Sequence, residues 1–111
     1  MNLRLNRTED DMDINSSTTI PGVRVFFPDA LRARVGNRAS VMVTGSTVRE
    51  IIEALDQDFP GLRFNLCHET GELRPFVNVF VARENIRYLQ GLDTPVPTGA
   101  TIYILQSVAG G

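Results

Sequence analysis

"GSTVREIIEALDQDFPG", residues 45–61, brings Val48, Ile51, Ile52, Leu55 and Phe59 onto one apolar stripe at helical spacing. That is the pattern of a helix laid against a core. Thr47 followed three residues later by Glu50 reads as a capping box. In that motif the hydroxyl accepts from the backbone of the first turn while the carboxylate reaches back. Glu50 and Glu53 also suit the positive end of the helix dipole, and Pro60-Gly61 stops the helix. A single helix of this kind covers one face of one sheet, and the segments on either side supply the strands.

Upstream, "VRVFF" (23–27) alternates Val23, Val25 and Phe27 with Arg24 and Phe26, the period of two expected of a strand. Pro28-Asp29 closes it, Gly36-Asn37 reads as a turn, and "ASVMV" (39–43) is a second strand that pairs back as a hairpin. Downstream, "LRFNLCHETGELRP" (62–75) reads as mostly irregular. "FVNVFVA" (76–82) is a third strand whose β-branched residues suggest a central position in the sheet. "NIRYL" (85–89) reads as a brief edge strand and "QGLDTPVPTG" (90–99) as a turn-rich connection. "TIYILQ" (101–106), apolar on both faces, reads as a strand well inside the sheet. The order is β-β-α-β-β-β: an α+β domain with a mixed sheet and one main amphipathic helix. Strand parity turns Val23, Val25, Phe27, Val77, Val79, Val81, Ile102 and Ile104 toward the helix, and Phe26, Phe80, Tyr103 and Leu105 to the opposite face. An apolar cluster there is either a protein-binding patch or is covered by loops or by the leader.

At 111 residues the chain holds one small core. Its hydrophobic content of 42% with 22% charged residues is that of a globular protein. A formal net charge of -2 with scattered arginines gives no concentrated basic surface, so neither nucleic acid nor a membrane is expected as a partner. Residues 1–20, acidic in "EDDMD" and then rich in Ser/Thr, read as a flexible polar leader, and Met12 offers an alternative start. Residues 21–106 would form the domain and 107–111 a flexible tail. The leader lacks the apolar core of a signal peptide, no stretch is apolar enough to span a bilayer, and the lone Cys67 suits a reducing compartment. The expected location is cytoplasmic.

Conventional catalytic candidates are few. Cys67-His68 stands out, but chain neighbours do not generally aim side chains at a common atom, and a loop cysteine beside a solvated imidazole is the simpler reading. One His and one Cys fall short of a zinc site, Glu69 and Glu72 suit a solvated loop, and no metal is expected on this chain. A phosphate-binding G-x-x-x-x-G-K-[ST] motif is missing from the sequence. These residues do not compose a self-sufficient enzyme.

The last residues, "SVAGG" (107–111), follow directly on the final strand. Glycine has no Cβ, so Gly110-Gly111 is the thinnest peptide available and enters channels that a side chain would block. A terminal carboxylate is ionised at neutral pH. It can attack the α-phosphate of ATP when a partner supplies nucleotide and metal, giving an acyl adenylate. Sulfide or a persulfide then replaces AMP and leaves a thiocarboxylate. A glycine tail alone is weak evidence, but joined to the preceding strand and the β-β-α-β-β-β order it is strong.

From about residue 20 to 111 the chain resembles the ThiS/MoaD-type sulfur carriers, ubiquitin-like proteins of the β-grasp fold. The most specific part is "RPFVNVFVARENIRYLQGLDTPVPTGATIYILQSVAGG" (74–111). Its "FVN" strand, the Arg87-Tyr88 step, the Gly91-Leu92 pair and the closing "VAGG" are most like the carriers of cysteine biosynthesis from O-phosphoserine. The resemblance implies that Gly111 is adenylated by an E1-like adenylyltransferase/sulfurtransferase and converted to a thiocarboxylate. It also implies that Gly110 is needed for access and that Val108 and Ala109 make tail contacts. It further implies a PLP-dependent sulfhydrylase as acceptor and a metallopeptidase that frees the product. ATP, PLP and zinc would belong to those partner enzymes, and none to this chain. One departure is visible: many relatives carry proline where this chain has Ser107, which predicts a looser tail.

Three other readings stay open. A small subunit of molybdopterin synthase would use the same thiocarboxylate in a lasting heterodimer. A ubiquitin-like modifier would be joined to protein lysines, and a pure β-grasp interaction module would use the outer face without the tail. All 11 basic side chains are arginine, so an activated chain cannot acylate another copy through an ε-amine. A GC-rich genome produces the same bias.

Overall fold

The computed structural model describes residues 22–107. The leader, residues 1–20, and the tail residues Val108, Ala109, Gly110 and Gly111 lie outside the described residues. A five-stranded mixed sheet carries the domain, with β1 (Val23–Phe26), β2 (Ser40–Val43), β3 (Val77–Val81), β4 (Glu84–Asn85) and β5 (Thr101–Gln106) in the spatial order β2-β1-β5-β3-β4. β1 runs antiparallel to β2 and parallel to β5, and β3 pairs antiparallel with both β5 and β4.

The helix read from residues 45–61 is α2 (Val48–Asp58), which follows a shorter α1 (Asp29–Arg32). Thr47 is its cap: the Glu50 N–H donates to Thr47 Oγ1 at 3.2 Å. The Glu50 carboxylate accepts from the Ser46 N–H at 2.8 Å, one residue before the cap. A second tie fixes the entry angle, because the Val48 N–H donates to the Thr94 carbonyl and the Val96 N–H to that of Ser46. Gly45 lets the chain pass close to the first turn of α2, since a Cβ there would lie 3.0 Å from Ile51 Cδ1. Val48, Ile51, Ile52 and Leu55 are buried against the sheet, with Phe59 packed at the rim of the core.

Three sequence expectations are corrected. Residues 62–66 are not irregular but form α3 (Leu62–Leu66), entered through Gly61 at φ 96° and burying Leu62 and Leu66. The central strand is β5, not β3, because β1 and β3 both pair with it. The brief edge strand is Glu84–Asn85, and Ile86–Tyr88 coils into a 3-10 turn that buries Ile86. The β1–β2 hairpin does form, but its connection holds α1 and a 3-10 turn (Ala33–Val35) before Gly36 and Asn37, both at positive φ.

Candidate functional site

Alternation along the strands gives the sheet two different faces. On the helix side Val23, Val25, Phe27, Val77, Val79, Ile102 and Ile104 are all buried, with Val81 partly so. The outer side carries Phe26 and Phe80, both half-buried, with Tyr103 and Leu105 at 42% and 47% exposure. Phe26 and Tyr103 stack at 5.0 Å across the parallel β1–β5 pair. Met42, on the same face, is 47% exposed. The four outer residues expected from parity are therefore on one face. Met42 was missed, although the alternation in "ASVMV" contained the signal.

Ser107, the last described residue, lies next to β3. Its N–H donates to the Phe76 carbonyl at 2.8 Å, extending the β3–β5 ladder by one step. Asn78 Nδ2 donates to Ser107 Oγ at 3.0 Å, and Asn85 Nδ2 donates to Asn78 Oδ1 at 3.3 Å. The Asn85 Oδ1 in turn accepts from the Arg87 N–H at 2.9 Å. Only Phe80 and Val81 of β3 are paired to β4. Upstream of them, the Arg87 guanidinium donates to the carbonyls of Val77 (2.6 Å), Arg74 (2.9 Å) and Pro75 (3.2 Å). One side chain thus satisfies acceptors along a stretch that β4 is too short to reach. The looseness expected from Ser107 standing in place of proline does not extend to Ser107 itself, which is held by two hydrogen bonds.

Cys67 and His68 do not form a pair. Cys67 is in the core at 2% exposure, not a loop cysteine, while His68 is exposed. Burial pushes the Cys67 thiol above its ordinary value of 9.0, and the nearby positive charges of Arg63, Arg49 and Arg74 only partly oppose this. A thiol held protonated in this way is a poor nucleophile. Among the described residues no cluster of three His, Cys, Asp or Glu side chains is placed to hold a metal ion. No helix among them is long and apolar enough to cross a membrane. An open cleft of about 380 Å³ lies between α2, the 70–73 loop and Ile86-Arg87. Both of its arginines are engaged, Arg49 with Asp93 at 3.2 Å and Arg87 with the β3 carbonyls. Exposed apolar side chains remain on the outer sheet face and also at Phe64, Phe76, Tyr88 and Leu89.

Comparison with known proteins gives the same architecture. The sequence profile of the ThiS family matches residues 25–111. The sulfur carrier protein CysO of Mycobacterium tuberculosis is 35% identical over 91 residues, covering 80% of this chain and 98% of that protein. A chain in the crystal structure of the Amycolatopsis orientalis BexX/CysO complex superimposes with a TM-score of 0.75 at 39% identity, covering 80% of this chain and 99% of its own. The small archaeal modifier protein 1 of Methanosarcina acetivorans superimposes at 0.71 with 27% identity, over 82% and 97% of the two chains. A ubiquitin-like β-grasp domain with this sheet order and this family match from β1 through the final glycines identifies the chain as a member of the ThiS family.

Proposed function

We propose that the chain is a sulfur carrier and that the cargo is held as a thiocarboxylate at Gly111. The observation that carries this reading is the match to the ThiS family through residue 111, together with 35% identity to a sulfur carrier over nearly that protein's whole length. In the proposed reaction a Gly111 carboxylate oxygen attacks the α-phosphorus of ATP and pyrophosphate leaves. Hydrosulfide then attacks the acyl carbon, AMP departs with the oxygen, and C–S replaces C–O. The chain itself supplies a small tail, Gly110 and Gly111, behind Val108 and Ala109. An E1-like adenylyltransferase/sulfurtransferase supplies the nucleotide chemistry, so the chain is a cosubstrate and not an enzyme.

The outer face fits the docking of such an enzyme, with Phe26, Phe80, Tyr103 and Leu105 on the face along which β5 runs toward Ser107. An apolar patch exposed next to a reactive terminus lets binding energy from the patch orient the terminus. That a related chain crystallises in a BexX/CysO complex supports a protein partner for this chain. The downstream role that we favour is cysteine biosynthesis, through a PLP-dependent sulfhydrylase and a metallopeptidase, in the cytoplasm. PLP and zinc belong to those enzymes.

A second reading, a ubiquitin-like protein modifier, is favoured by the 32% identity over 66 residues to the small archaeal modifier protein 3 of Haloferax volcanii. The lysine-free sequence permits single attachment and forbids lysine-linked chains of the protein with itself. Pyrophosphate exchange into ATP with the E1-like enzyme tests both readings at their shared first step. We expect exchange with the full chain and none after deletion of Gly111. Exchange that persists without Gly111 would remove the terminus from the chemistry. Thiocarboxylate formation without lysine adducts in cell extract then favours the carrier.

A further inference from the structure

The 3-10 turn Ile86–Tyr88 is pinned from both ends. Ile86 is buried at 1% exposure, Asn85 Oδ1 accepts from the Arg87 N–H at 2.9 Å, and the Arg87 guanidinium donates to the carbonyls of Arg74, Pro75 and Val77. After the turn the Leu89 N–H donates to the Ile86 carbonyl at 3.0 Å, and the Gln90 N–H donates to Oγ1 of the buried Thr94 at 3.1 Å. The hairpin that leads into it is tight as well. Val81 pairs with Glu84, which leaves Ala82 and Arg83 as the turn residues. Ala82 holds φ 58°, a left-handed conformation that a residue with a Cβ adopts only against strain. Its N–H is tied to the Thr101 carbonyl at 2.8 Å.

On this rigid frame Tyr88 is 87% exposed and Leu89 43%. Together with Phe80 they border an open cleft of about 410 Å³, whose remaining lining is Arg83, Glu84 and Asn85. The cleft continues the outer patch without a break. Phe26 stacks on Tyr103, Tyr103 stands opposite Phe80 in the β3–β5 register, and Phe80 lines the cleft. A single exposed apolar residue asks for no explanation. A tyrosine on a pinned turn beside a cleft is different, because little freedom remains to be lost when a partner covers it. Arg83 and Glu84 add the polar rim that surrounds the apolar centre of a protein interface. Size points the same way. A fully covered aromatic side chain contributes about 150–250 Å², so the partly exposed side chains of the outer patch fall short of the about 800 Å² per partner of a stable complex. Tyr88 and Leu89 extend that surface.

We infer that Tyr88 is an anchor for the same protein partner that docks on the outer face, and that an apolar side chain of that partner fills the cleft between Tyr88, Leu89 and Phe80. The partner's identity as the adenylating enzyme rests on the sulfur-carrier reading.

The test is calorimetric titration of the E1-like enzyme with the full-length chain and its Tyr88→Ala, Tyr88→Phe, Leu105→Ser and Phe64→Ser variants, with melting curves to verify folding. Tyr88→Ala should raise Kd about tenfold or more, and Tyr88→Phe, which keeps the ring, should recover most of that loss. Leu105→Ser should weaken the same complex. Phe64, 53% exposed but on α3 beside α2, is the control, and Phe64→Ser should bind as the unaltered chain does. A Kd for Tyr88→Ala within about twofold of the unaltered value would overturn the anchor, and so would an equal loss in Phe64→Ser. Sedimentation of the chain alone adds a further check: a dimer that Tyr88→Ala dissolves would give the cleft to a second copy and overturn the inference. Pyrophosphate exchange by the unaltered chain separates the two failures. With exchange present and Tyr88→Ala binding unchanged, the anchor fails and the carrier reading stands. With neither exchange nor binding, the carrier reading fails and takes the anchor with it.

Discussion

The two faces of one sheet differ more than any two elements of the molecule. Along β5, Ile102 and Ile104 are 1% and 2% exposed, while Tyr103 and Leu105 between and after them are 42% and 47% exposed. The inner face meets α2 and α3 and accounts for the fold. The outer face carries the apolar cluster of Phe26, Met42, Phe80, Tyr103 and Leu105, and among the described residues no helix covers it as α2 covers the inner face. Polar residues would serve an ordinary solvated face of a sheet, as Arg24 and Ser40 do at its β2 side, where they share a hydrogen bond of 3.1 Å. The contrast assigns packing to one set of alternate residues, and recognition is the role that we propose for the other.

Substitutions on each face break or sharpen this division. Leu55, wholly buried beneath the sheet, should cost about 2–5 kcal/mol when changed to Ala, read from chemical denaturation. A cost under 1 kcal/mol would mean that α2 does not close the core as described. Thr47→Ala removes the cap that seats α2 and should cost about 1 kcal/mol, with thermal melting as the check. Leu105→Ser, on the outer face, should change stability by less than about 0.5 kcal/mol yet weaken binding to the adenylating enzyme by ~1 kcal/mol or more. Titration calorimetry that finds binding intact would return the outer face to a passive role.

The smallest effect is a pH effect on the buried side. Folding holds the Cys67 thiol above 9.0, so the folded form retains a proton that the unfolded chain gives up. The associated stability is complete at neutral pH and declines as the pH rises past 9.0 through the folded value. Cys67→Ala should flatten that part of the curve. Thiol reagents at pH 8 should label the unfolded chain and spare the folded one.

Local patterns carried much of this into the sequence. The apolar stripe, the Thr47 cap and the period of two in β1, β3 and β5 are short-range signals, and each specifies its own face. α3 was hidden because five residues span little more than one helical turn, so its Leu62–Leu66 spacing had no second repeat to support it. The place of β5 at the centre and the shortness of β4 depend on pairing between distant segments, which no local window contains. The composition of β3 suggested a central strand. In the fold its apolar residues are accounted for by α2 on one side and β5 beside it, while its other edge is met by β4 at Phe80 and Val81 and by Arg87 at Val77. The same remoteness concealed the hydrogen bonds that join Asn85, Asn78 and Ser107, ordinary polar residues until the register brings them together. The tail glycines were legible by chemistry and by resemblance, and lie outside the described residues.

The most direct test of the central claim is top-down mass spectrometry of the full chain after incubation with the E1-like enzyme, ATP and a sulfide source. Fragment ions must place the change, because oxidation of a methionine or of Cys67 has nearly the mass of an oxygen-to-sulfur exchange. We predict sulfur in place of one carboxylate oxygen on Gly111, dependent on ATP and lost on deletion of that residue. An unmodified Gly111, under conditions in which the same enzyme converts a related carrier, would contradict the account.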